Sequence, residues 1–148
     1  MIEPAPTEPL APGVARATLR EVVPATATKP AHLRLAFANT SYVLYLLPTA
    51  PLRAEPGDKV LGTIQVRARR IDVVPSGGKY VEPVIGRPRR VQGRVLGHEQ
   101  DRLIVDAGVP MHVTPTDERQ RAQDFAPGQM VSFDALDGAS FTPSDERD

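Results

Sequence analysis

Sixteen prolines in a chain of 148 residues set the first limit on what this protein can fold into. Proline has no amide proton to donate and clashes with the preceding helical turn, so long helices are broken wherever it falls. Short extended segments joined by turns remain. Apolar residues make up 41% of the chain and aromatics only 5%, with no Trp. The interior must therefore be built mostly from Val, Leu, Ile and Ala. The length suits one domain, or two very small ones sharing a core. Cysteine is absent, which excludes disulfides, thiolate metal sites and cysteine nucleophiles.

The apolar pattern predicts strands. Residues 14–23 form a first candidate, ended by Pro24. Leu33, Leu35 and Phe37 alternate with Arg34 and Ala36, and after the polar turn Asn39-Thr40-Ser41 a second arm runs over residues 42–47. Together they read as a hairpin, with the second arm covered on both faces. Glu55-Pro56-Gly57-Asp58 is a turn that launches the longest strand, residues 59–74. Its alternation holds from Val60 to Ala68 and then slips by one at Arg69-Arg70, which predicts a β-bulge there. Residues 79–90 hold Pro83 and Pro88 and are read as an exposed crossing segment, not a central strand.

The second half is more regular. Val91, Gly93 and Val95 alternate with Gln92 and Arg94. A turn at residues 98–101 leads to a return strand through Leu103 and Val105, and a short strand covers residues 111–113. Thr114, Pro115 and Asp117 have the order of a helix cap, a first-turn proline and a capping-box acid, which predicts a short helix near residues 115–124. Val131 and Phe133 begin another strand, and Asp137-Gly138 marks a hairpin turn into a last one at Phe141. A short echo links Glu55-Pro-Gly-Asp-Lys-Val60 with Ala126-Pro-Gly-Gln-Met-Val131.

These signals give a mostly β, small barrel-like architecture of one or two lobes. The expected division is a Pro-rich arm (1–13), an N-terminal β lobe with the basic crossing segment (14–90), a C-terminal lobe (91–143) and an acidic tail (144–148). The order of elements from residue 91, carried by Val91-Gln-Gly-Arg-Val-Leu96, Leu103-Ile-Val-Asp106 and the Thr114-Pro-Thr-Asp117 helix start, resembles the oligonucleotide/oligosaccharide-binding (OB) barrel, with its helix between the third and fourth strands. The strand at residues 59–74 is then needed to complete the sheet.

Charge is unevenly distributed. The formal net charge is zero, yet residues 59–94 are almost wholly basic, opposed only by Asp72 and Glu82, and the chain beyond residue 95 is predominantly acidic. Arg67, Arg69, Arg70, Lys79, Arg87, Arg89, Arg90 and Arg94 are the candidate partner- or anion-binding residues. The expected function is a non-enzymatic binding module acting through segregated basic and acidic surfaces. Its partner would be an acidic protein surface or a second copy of the chain. The alternative is nucleic-acid binding through the Arg-lined face. Against that alternative stand the zero net charge and the small number of aromatics.

Other chemistry is poorly supported. Gly77-Gly78-Lys79 is no phosphate loop, because Val73 stands where the first glycine belongs and Tyr80 where Ser or Thr belongs. A distant third reading is an enzyme centred on His98 and His112. No metal-ligand spacing occurs, and nothing calls for a cofactor. The N-terminus has neither the basic nor the apolar region of a secretory signal, and no apolar run is long enough to span a bilayer. A soluble, cytoplasmic protein without a membrane partner is the expectation.

Overall fold

The fold comes from a computed structural model that describes residues 11–144. The arm at 1–13 and the tail at 144–148 lie outside the described residues, apart from 11–13 and 144. The chain is mostly β. Its strands are β1 (Ala15–Val23), β2 (His32–Phe37), β3 (Val43–Pro48), β4 (Lys59–Val74), β5 (Tyr80–Glu82), β6 (Ile85–Gly86), β7 (Arg90–Glu99), β8 (Arg102–Asp106), β9 (Pro110–Pro115), β10 (Met130–Ala135) and β11 (Ser140–Pro143).

The strands close into two rings that share β4. In the first, β1 pairs with β2 and β2 with β3, β3 runs parallel to β11, β11 pairs with β4, and β4 returns to β1. In the second, β7 pairs with β8 and β8 with β9, β9 runs parallel to β4, β4 pairs with β10, and β10 returns to β7. The first half of β4 serves one ring and the second half the other: Lys59–Gly62 faces β1, whereas Gln65–Ala68 faces β9. Ring membership cuts across chain order, since the last strand, β11, sits in the ring begun by β1.

The two rings are built alike. Within its ring β1 pairs with both β2 and β4, and β7 with both β8 and β10, and each carries a register shift, at Leu19/Glu21 and at Val95/Gly97. Such bulges add the bend that closure requires. The sequence echo falls at equivalent places, just before β4 and just before β10. The Gly57 amide donates to the Leu19 carbonyl and the Leu19 amide to the Asp58 carbonyl. In the same pattern, the Gly128 amide donates to the Val95 carbonyl and the Val95 amide to the Gln129 carbonyl. The side chains of Asp58 and Gln129 accept from the amides of Glu55 and Ala126. Both glycines have positive φ, +100° and +94°, a conformation glycine adopts with little strain.

The slip in β4 is a bulge, as its alternation requires. Phe133 lies opposite Ile71 and Ala135 opposite Ala68, so two residues, Arg69 and Arg70, face the single Asp134. Gly62, Ile64, Val66 and Ala68 are buried before it and Ile71 after it. β3, by contrast, buries only alternate residues, Leu44 and Leu46, rather than both faces. One buried cluster runs through both rings, with Phe133, Phe141, Leu19, Leu35 and Leu44 among its largest members.

The helix expected near residues 115–124 does not form. Only a single 3-10 turn, Ala122–Asp124, is present. The capping residues are used elsewhere: Thr114 and Pro115 extend β9 alongside Arg67 and Ala68, the Thr116 amide and hydroxyl both donate to the Ala68 carbonyl, and Asp117 folds onto Arg119. Gln120 continues this pairing with its side chain, accepting from the Ile71 amide and donating to the Ile71 carbonyl. Pairing with β4 outcompetes a weak local helix signal. The crossing segment contributes only the short β5, beside β7, and β6, parallel to β3.

Candidate functional site

The outer face of the β2–β3 hairpin carries a groove of about 1010 Å³. Because Leu33, Leu35, Leu44 and Leu46 point inward, His32, Arg34 and Tyr45 share the opposite face. The rings of His32 and Tyr45 lie 5.3 Å apart at 32°, and the Arg34 guanidinium sits 4.5 Å over the Tyr45 ring. This cation–π contact fixes Tyr45 at the groove wall. Lys29 enters from the loop before β2, Arg87 and Arg89 from the crossing segment, and Asp137 to Ala139 from the loop before β11. Ile85, 61% exposed, stands at the rim.

The candidate basic residues do not gather on one surface. Arg87 and Arg89 line the groove, and Arg67 and Arg69 line a neighbouring hollow that also touches Asp137. Arg67 donates to the Asp137 carbonyl at 3.0 Å. The others are engaged nearby. Arg70 pairs with Asp72 at 3.3 Å, Lys79 with Asp106 at 2.9 Å, Arg87 with Asp137 at 3.3 Å and Arg90 with Asp134 at 2.9 Å. Arg94 donates to the Gly128 carbonyl at 2.7 Å. Arg90 also reaches the buried Ser132 hydroxyl, and its hydrogen bond to Asp134 holds its proton more firmly than usual.

The ionic blocks therefore meet in space. Arg90 and Asp134 are direct cross-strand partners, and Lys79, Arg87 and Arg90 all pair with carboxylates from the acidic half. Exposed pairs of this kind contribute about 0–1 kcal/mol each. Their main consequence is to remove charge from the surface. Arg69 and Arg89 keep no ion-pair partner among the described residues.

His98 and His112 are not brought together into one site. His98 is exposed and bonds the Phe125 carbonyl at 2.6 Å. His112 is buried and bonds the Gly13 carbonyl at 3.1 Å. No group of three or more His, Asp or Glu residues is placed to hold a metal ion among the described residues, and no helix there is long and apolar enough to cross a membrane.

Sequence reasoning missed Lys29, His32, Arg34 and Tyr45. The usable signal was the alternation of Leu33 and Leu35, which sends His32 and Arg34 to the other face. Comparisons with known protein families, with curated proteins and with solved structures find no match to this chain.

Proposed function

We propose that this protein is a non-enzymatic binding module whose β2–β3 groove takes a single-stranded nucleic acid. The observation that carries the reading is the groove's chemistry. Two neighbouring rings, His32 and Tyr45, stand beside Lys29 and Arg89, which have no carboxylate partner among the described residues, and beside Arg34 and Arg87, which pair with Glu21 and Asp137. Rings offer bases a stacking surface, and the cations track phosphates without reading sequence. The order of each ring also supports an OB-like barrel: a first strand paired on both sides, and a parallel pair between the third strand and the one that closes the ring. In such barrels the second and third strands and their flanking loops bind extended oligomers. This groove lies on the corresponding strands, between the loop before β2 and the loop before β11.

A second reading places an acidic protein segment, or a second copy of the chain, in the same groove. The exposed Val84 and Ile85 beside it favour that reading. Fluorescence anisotropy with a labelled oligothymidylate separates the two. Nucleic-acid binding predicts saturable binding at low salt that weakens steeply as salt rises. Arg89→Ala lowers the salt slope by about one, and Tyr45→Ala weakens binding about tenfold. Absence of binding at low salt, together with capture of an acidic peptide or concentration-dependent mass, gives the groove to protein.

A further inference from the structure

A second site lies where the two rings meet, and it owes nothing to the groove. A chamber of about 370 Å³ opens there. One wall is neutral and hydrogen-bonding. The hydroxyls of Thr49 and Thr142 touch at 2.7 Å, and Gln65 Oε1 accepts from Ser140 at 3.0 Å and Thr142 at 3.1 Å. Glu99, Arg102 and His112 come from the second ring, His112 lying directly beside Gln65 in the β4–β9 pair.

His112 is the informative member. It is 4% exposed, and its Nε2 faces the Gly13 carbonyl. A carbonyl only accepts, so Nε2 carries a proton; Nδ1 is then an acceptor in the neutral ring and a second donor in the protonated one. That Nδ1 is buried and has no hydrogen-bond partner. Glu99 Oε2 lies 3.9 Å from it and is an acceptor too. At 3.9 Å the two are too far apart to hydrogen-bond, and with the ring neutral both are acceptors that a single donor nitrogen reaches at ordinary hydrogen-bond length. Arg102 lines the same chamber and has no carboxylate partner among the described residues.

We propose that this chamber binds a small zwitterion bearing a primary ammonium and a carboxylate, the chemistry of a free α-amino acid. The ammonium donates to Glu99 Oε2 and His112 Nδ1, for which Glu99, exposed and otherwise unpaired among the described residues, shifts to admit it. The carboxylate takes the Arg102 guanidinium, whose fork suits it. The Thr, Ser and Gln wall receives a polar side chain. A simple anion would meet Glu99 and a simple cation would meet Arg102, whereas a molecule with both charges satisfies both.

The test is calorimetric titration of the full chain with a panel of free α-amino acids, with acetate and ethylamine as half-ligands, alongside the ¹⁵N shift of His112 Nδ1. Binding by at least one polar amino acid is expected, with a Nδ1 shift toward the hydrogen-bonded value. Glu99→Gln and Arg102→Gln should each weaken it about tenfold or more without lowering the melting temperature of the free protein, since neither side chain belongs to the core. The proposal is overturned if no amino acid binds, if the half-ligands bind as well as the amino acids, or if both variants bind like the parent. Oligonucleotide binding is unaffected by any of these results, so this site and the groove fail or stand separately.

Discussion

Gly57 and Gly128 hold the same position in two different rings, with φ of +100° and +94° and no atom within 4 Å of where a Cβ would stand. A methyl group therefore meets no neighbour at either site, and the cost of adding one is confined to the backbone. Gly57→Ala and Gly128→Ala should each lose about 1–2 kcal/mol, by similar amounts, in urea denaturation. Unequal losses would mean that the two turns are not equivalent. Asp117 offers a pH test. Arg119 holds its carboxyl down to about 2 from 3.8, first through the guanidinium and second through the Arg119 amide. A carboxylate with a depressed folded value stabilises the fold above its unfolded value and loses that contribution as pH falls through the folded one. The effect is thus complete above about pH 4 and disappears toward pH 2. Carboxyl ¹³C titration should place Asp117 near 2, and Arg119→Ala should return it toward 3.8. At this scale the Pro-Gly turns were legible because their signal is local. Tyr45 was not, because its role depends on the phase of a strand whose buried face could be identified only once Leu44 and Leu46 were seen to alternate.

Among the elements, β4 was the most legible. Its length, its turn and its bulge at Arg69-Arg70 all follow from a two-residue period that fails once. Its double membership was only partly legible: the need for this strand in the second lobe could be argued, but its division between two rings rests on pairings with β1, β9, β10 and β11 that span much of the chain. The missing helix has the same origin. Thr114, Pro115 and Asp117 carry a valid local signal, and distant hydrogen bonds to β4 override it. Gln120 completes those bonds. Gln120→Ala removes both of its contacts to the Ile71 backbone and should destabilise the fold by about 1–3 kcal/mol, with amide exchange at Ile71 accelerated. A loss confined to exchange, with no fall in stability, would mean that water replaces the amide without penalty.

For the whole molecule, the separation of charge along the chain was plain in the sequence, and its cancellation in space was not. Antiparallel pairing of β10 with β7 sets Asp134 against Arg90, and the loop before β11 brings Asp137 to Arg87. What survives is a pair of cations without carboxylate partners among the described residues, Lys29 and Arg89, beside two aromatic rings, rather than a charged hemisphere. Function at this scale then depends on one groove, and on whether a ligand goes there. An amide chemical-shift titration of the full chain with oligothymidylate at low salt decides it. Perturbations centred on Lys29, His32, Tyr45, Arg89 and Ala139, fading as salt is added, are the expected result. Perturbations centred on the second ring, or none at saturating oligonucleotide, would take the groove out of the explanation.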